Sequence, residues 1–138
     1  MPEPSLWFIR IALIHFVTGI TCGMLLLMNK SVLLDYRVWS LLPMHIELLL
    51  AGWILNLVMG VAYWILPRYQ DGPARGNEKI VWLAFVLLNS GIMAVVWGKA
   101  FFDGSNLTFF GRLLECLSVP LFASQIWRRL YRIKDLPS

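Results

Sequence analysis

The sequence predicts an all-α membrane protein: four transmembrane helices in an antiparallel bundle, with both termini cytoplasmic. Three observations predict it. Of 138 residues, 59% are hydrophobic and only 14% charged, where a soluble domain of this size carries nearer a quarter charged residues. The apolar residues gather in runs of the length that crosses a bilayer, about 20 residues each. The polar segments between the runs are short, which makes sequential helices antiparallel neighbours.

The first span covers about residues 9–28. Arg10 interrupts its apolar start, no small-residue cleavage site follows, and further spans come after it, so no cleavable signal peptide is evident. Gly19 and Gly23 form a G-xxx-G here, which means close helix contact or, as a sharper alternative, a self-association face. Residues 29–40 (NKSVLLDYRVWS) carry mixed charge and break the run. The second span, about 41–66, holds Gly52 and Gly60 and closes on a Pro/Gly-rich polar loop, 67–78. The third, about 79–98, has Ser90 and Gly91 on it, and a turn-rich connector, 99–108, leads to the fourth at about 109–127. A basic tail, RRLYRIKDLPS, leaves the membrane. Residues 1–138 read as a single four-span membrane domain without an internal repeat.

Lys and Arg set the orientation. Arg10, Arg68, Arg75, Lys79, Arg128, Arg129, Arg132 and Lys134 fall on one side, and Lys30, Arg37, Lys99 and Arg112 on the other. The richer side is the cytoplasmic one, so His45 lies near the outer face of what reads as a prokaryotic inner membrane. Topology accounts for the net charge of +4, and nucleic acid is not an expected partner. Cys22 and Cys116 fall inside spans, read as buried free thiols, and lack metal-ligand spacing. There is no phosphate loop, no GxSxG turn, no HExxH and no Cys/His cluster, so most soluble-enzyme chemistry has no residues to stand on.

The ionisable groups inside the spans are the informative ones. At 100° per residue, Gly52, Asn56 and Tyr63 fall within about 20° of His45 on the second helix, while Glu47 points about 160° away from it. A neutral imidazole is the usual axial ligand of haem iron, and Gly52 below it leaves room for a macrocycle. The alternative is that His45 hydrogen-bonds at a helix mouth and Gly52 is a packing glycine. Asn56 reads first as an interhelical hydrogen-bonding residue, second as a ligand contact. His15 lies too deep to share an iron with His45 and is expected level with Tyr63, in a structural hydrogen bond. Met24, Met28 or a second copy's His45 are the candidates for a second axial position. Glu47 is expected to meet Arg112 or Lys99, and Glu115 to pair with Arg112 at i,i+3.

The stretch His45-Ile46-Glu47, Gly52-Trp53, Gly60, Tyr63 and Pro67-Arg68 resembles one helix of the haem-copper oxidase subunit I superfamily, in the branch of the nitric oxide reductases. The rest of the chain is similar, more loosely, to small four-span relatives of that subunit. The resemblance implies a b-type haem on His45, with Arg37 or Arg112 pairing with propionates. Glu47 stands where the family has its second histidine, and the family's other metal ligands lie on helices this chain lacks. No copper and no complete oxidase are therefore expected. The function read from the sequence is electron transfer or haem-based sensing, as a homo-oligomer or within a larger respiratory complex, with a quinone or cytochrome c as partner. The alternatives are a cofactor-free scaffold or accessory subunit, and a proton or metal conduit through Glu47 and Glu115.

Overall fold

A computed structural model describes residues 1–32, 35–66, 76–101 and 106–131. Four rods account for nearly all of them: α1 (Glu3–Ser31), α2 (Tyr36–Ile65), α3 (Glu78–Phe101) and α4 (Asn106–Tyr131). All four are long and apolar enough to cross a membrane. Each overruns its predicted apolar stretch by a few residues at one or both ends, because good helix ends lie in the polar flanks. Pro4 and Glu3 sit in the first turn of α1, where a missing N–H costs nothing and an acid complements the helix dipole. The Asp35 side chain accepts from the Arg37 N–H at 2.9 Å and so starts α2. Arg68, Arg75, Arg132 and Lys134, half of the predicted cytoplasmic charge, lie outside the described residues.

α2 changes pitch along its length. A 3-10 turn (Tyr36–Ser40) leads into an α segment (Leu41–Glu47), then a π segment (Leu48–Leu55), then α again (Asn56–Ile65). A wide turn leaves carbonyls short of their usual donors. Asn56 supplies two, since its Nδ2 donates to the carbonyls of Ala51 at 3.3 Å and Gly52 at 3.0 Å. Here the uniform 100° arithmetic fails. Instead of one stripe, His45 and Gly52 turn to α1 while Asn56 turns to α3.

Glycine sets how closely the helices approach. Along the antiparallel α1–α2 contact, Phe8 packs over Gly60, His15 over Gly52, Leu48 and Leu49 over Gly19, and His45 over Gly23. A Cβ at any of these glycines would come within 2.9 Å of the facing side chain. Gly19 and Gly23 are thus spent inside the chain, which removes them as a self-association face. α3 and α4 meet backbone to backbone: a Cβ on Gly91 would stand 2.8 Å from the Gly111 carbonyl, and one on Gly111 equally far from that of Gly91. Close contact of this kind substitutes for hydrophobic driving force where the surroundings are as apolar as the side chains.

An aromatic group at the lower end ties the four helices together. Phe8 meets Phe85 edge-on at 5.0 Å and Phe122 at 5.9 Å, and Tyr63 lies 6.5 Å from Phe122. Phe8, Tyr63 and Phe122 are buried. By contrast, Leu13, Val17, Ile20, Met24 and Leu27 form an exposed apolar face of α1, the composition of a lipid-facing surface.

Candidate functional site

Two histidines occupy the α1–α2 contact, and each takes a glycine carbonyl of the opposite helix. The Nδ1–H of His45 on α2 donates to Gly19 O at 2.7 Å, and the Nδ1–H of His15 on α1 donates to Gly52 O at 3.0 Å. A carbonyl only accepts, so Nδ1 carries a proton in each ring, and in the neutral tautomer this leaves the lone pair on Nε2. Neither Nε2 has a partner among the described residues. Histidines that ligate metals are held in this way, with a carbonyl on one nitrogen and the other left to bind.

His15 lies opposite Gly52, eleven residues along α2 from Tyr63, and so is not level with Tyr63 as the sequence predicted. The space above Gly52 that the sequence offered to a macrocycle is filled by this imidazole, whose Cγ would lie 2.8 Å from an added Cβ. His45 sits over Gly23, eight residues further along α1, about 12 Å at the helical rise. One iron cannot take both rings of one chain.

From Gly52 a polar chain crosses the bundle. Gly52 O accepts from both His15 and Asn56, Asn56 Oδ1 accepts from Asn89 Nδ2 at 3.1 Å, and Asn89 also donates to Phe85 O at 2.9 Å. It links α1, α2 and α3. Asn56 is fully buried, and the Oδ1 of Asn89 is buried with no partner among the described residues. Asn89 escaped the sequence reading, which passed over it to Ser90 and Gly91. Its signal was available, because an amide in the middle of an apolar run is costly unless it is bonded.

His15 and Asn89 line a cleft of about 670 Å³ between α1, α2 and α3, together with Met44, Met93 and Trp97. His45 is not part of its lining.

A charged cluster joins α2 to α4. Arg112 grips the Glu47 carboxylate with both terminal nitrogens, Nη1 to Oε1 at 2.9 Å and Nη2 to Oε2, and holds Glu115 Oε2 at 2.8 Å. Glu47 is 4% exposed, so the pair must be well formed to offset the loss of hydration. Arg112 is the partner, not Lys99, and with two carboxylates on its guanidinium it is not placed to receive a propionate. Arg37 is exposed, with no ion pair among the described residues. Met24 and Met28 are about half exposed on the outward face of α1. Cys22 is half-buried, while Cys116 is exposed on α4 and not a buried thiol. Among the described residues no three His, Cys, Asp or Glu side chains cluster as a metal site would require.

The fold and these contacts define a four-helix protein of membrane-spanning proportions with polar groups buried along one helix contact. Compared with models of known families, with curated proteins and with solved structures, the chain gives no match.

Proposed function

We propose that the chain is an integral membrane protein that holds a b-type haem through Nε2 of His45 and serves electron transfer or haem-based sensing. One observation carries the reading: the Gly19 carbonyl fixes the Nδ1–H of His45 and leaves the opposite nitrogen unpartnered. The donor chemistry fits an iron ligand. A bound haem supplies one-electron redox chemistry or gas binding. The chain's part is to hold the imidazole in one tautomer and orientation, with Gly23 giving the ring its place. Walls for the macrocycle are not supplied at Gly52, which is why the proposal includes a second copy or a larger respiratory assembly. Met24, Met28 or a second His45 would complete the axial pair. The resemblance to one helix of the haem-copper oxidase subunit supports the same residue, although its closing Pro67-Arg68 lies outside the described residues. Lys and Arg counting supports cytoplasmic termini and an outer position for His45. Haem supplied during expression should give purified protein with a Soret band that shifts on reduction, and protein without one would end the proposal.

A second reading is a cofactor-free scaffold or accessory subunit. The observation that favours it is that both histidines already serve as bridges between α1 and α2. His45→Ala separates the two. Loss of a chromophore supports the first reading, and a folded protein that never had one supports the second.

A further inference from the structure

Three ionisable residues meet at the α2–α4 contact, and their charges do not balance. Arg112 carries one positive charge, while Glu47 and Glu115, both bonded to it, carry two negative ones when ionised. Glu47 is 4% exposed and Glu115 8%, so the surplus charge would sit where little water can screen it. A buried ion without a counterion is costly and in practice neutralises by taking up a proton. The two acids also share one donor, Arg112 Nη1, at 2.9 and 2.8 Å, which holds those oxygens no more than about 6 Å apart. Like charges that close favour a proton on one of the pair.

The bonding pattern selects the acid that holds it. Both oxygens of Glu47 accept from the guanidinium, Oε1 from Nη1 and Oε2 from Nη2, the bidentate arrangement of an ionised carboxylate. Glu115 gives only Oε2 to Arg112, and its Oε1 is buried and accepts no hydrogen bond among the described residues. Glu115 also lies within hydrogen-bonding reach of Glu47. Two carboxylates offer acceptors alone, so a bond between them needs an O–H on one. A proton on Glu115 Oε1 supplies that O–H and makes the cluster neutral.

We propose that Glu115 holds one exchangeable proton, shared with Glu47, and that the cluster is a single-proton store toward the Asn106 end of α4 rather than a step in a conduit. Uptake turns the Glu115 carboxylate into a carboxylic acid. Release returns the proton to water and leaves one surplus negative charge. The Arg112 side chain is half exposed, so the cluster reaches the surface of the bundle there, with Glu115 nine residues, about 14 Å, from Asn106. No acid continues the path inward: among the described residues Glu3, Asp35 and Glu78 all stand at helix ends. Ser118 Oγ donates back to the Glu115 carbonyl. Other groups on the packed helices do not cancel the surplus. His45 on α2 turns to Gly19 of α1, and Cys116 on α4 is exposed. Lys99 stands eight residues along α3 from Gly91, which packs on Glu115, and Arg37 ten along α2 from Glu47, about 12 and 15 Å. The store stands apart from the haem proposal and does not require it.

The test is infrared spectroscopy of the purified full-length protein in an ester-free detergent at neutral pH, in water and in heavy water, with circular dichroism as the control for folding. Exposed acids are ionised at that pH, so the C=O stretch of a protonated carboxyl reads the buried pair. Wild type should show one such band, with the area of one group per chain, and the band should shift in heavy water. Glu115→Gln should abolish it. Glu47→Gln should abolish it as well, because Glu115 then faces the guanidinium as the one remaining acid and ionises, whereas a proton kept by burial alone would stay. Glu115→Gln and the heavy-water shift decide the matter should Glu47→Gln fail to fold. No band in wild type, a band unmoved by heavy water, or a band that survives in either folded variant would each overturn the proposal. A visible difference spectrum on the same samples reads haem separately, so either proposal can fail alone.

Discussion

His45 on α2 donates its Nδ1–H to the Gly19 carbonyl of α1 at 2.7 Å, and four residues back along α1 His15 returns the same kind of bond to Gly52 of α2. The two rings interlock because each lies over a glycine of the facing helix. Chemistry and packing therefore meet within five residues, His15, Gly19, Gly23, His45 and Gly52, and substitutions there separate the two.

At Gly52 an added Cβ comes within 2.8–2.9 Å of three His15 atoms. Gly52→Ala should push His15 off its carbonyl and destabilise the protein by about 1–3 kcal/mol, as overpacking does. Unfolding in a detergent titration measures it. Gly111→Ala should cost at least as much, because the obstacle there includes the Gly91 carbonyl and not only a side chain that can turn.

Arg112→Met strips the Glu47 carboxylate of both its hydrogen bonds to the guanidinium at a position 4% exposed. The loss should be about 3 kcal/mol or more. Glu115→Gln leaves the Glu47–Arg112 pair in place and should change stability by less than about 1 kcal/mol. Thermal unfolding of the two variants side by side should show the first shift and hardly the second.

Asn56→Leu and Asn89→Leu break the same hydrogen bond from its two ends. A double-mutant cycle should return a coupling of about 0.6 kcal/mol, and no more than about 1.7, the range for side-chain bonds between apolar helices. Asn56→Leu alone should cost more than Asn89→Leu, because it also takes the donors from the π segment.

The four rods could be read directly from apolar run length, and their small residues from the G-xxx-G pattern at Gly19 and Gly23. The Glu47–Arg112–Glu115 cluster was half legible: i,i+3 spacing gave Glu115, and a buried acid needing a cation gave Glu47. What the sequence concealed was pitch. A π segment between Leu48 and Leu55 breaks the angular arithmetic, so Asn56 left the face of His45 and found Asn89. Helix register was hidden for a similar reason. Counting depth from the apolar ends placed His15 near Tyr63, while the actual α1–α2 contact is set by which side chain fits over which glycine. No composition rule supplies that pairing.

The proposed function stands or falls on the iron ligand. The most direct measurement is the reduced-minus-oxidised spectrum, with the haem-to-protein ratio, of wild-type, His45→Ala and His15→Ala protein expressed with added haem. A b-type spectrum in wild type and His15→Ala, lost in His45→Ala, is the expected result, and a ratio near one half would place His45 from two copies on one iron. A wild-type protein without a haem band, or a band that survives His45→Ala unchanged, would contradict it.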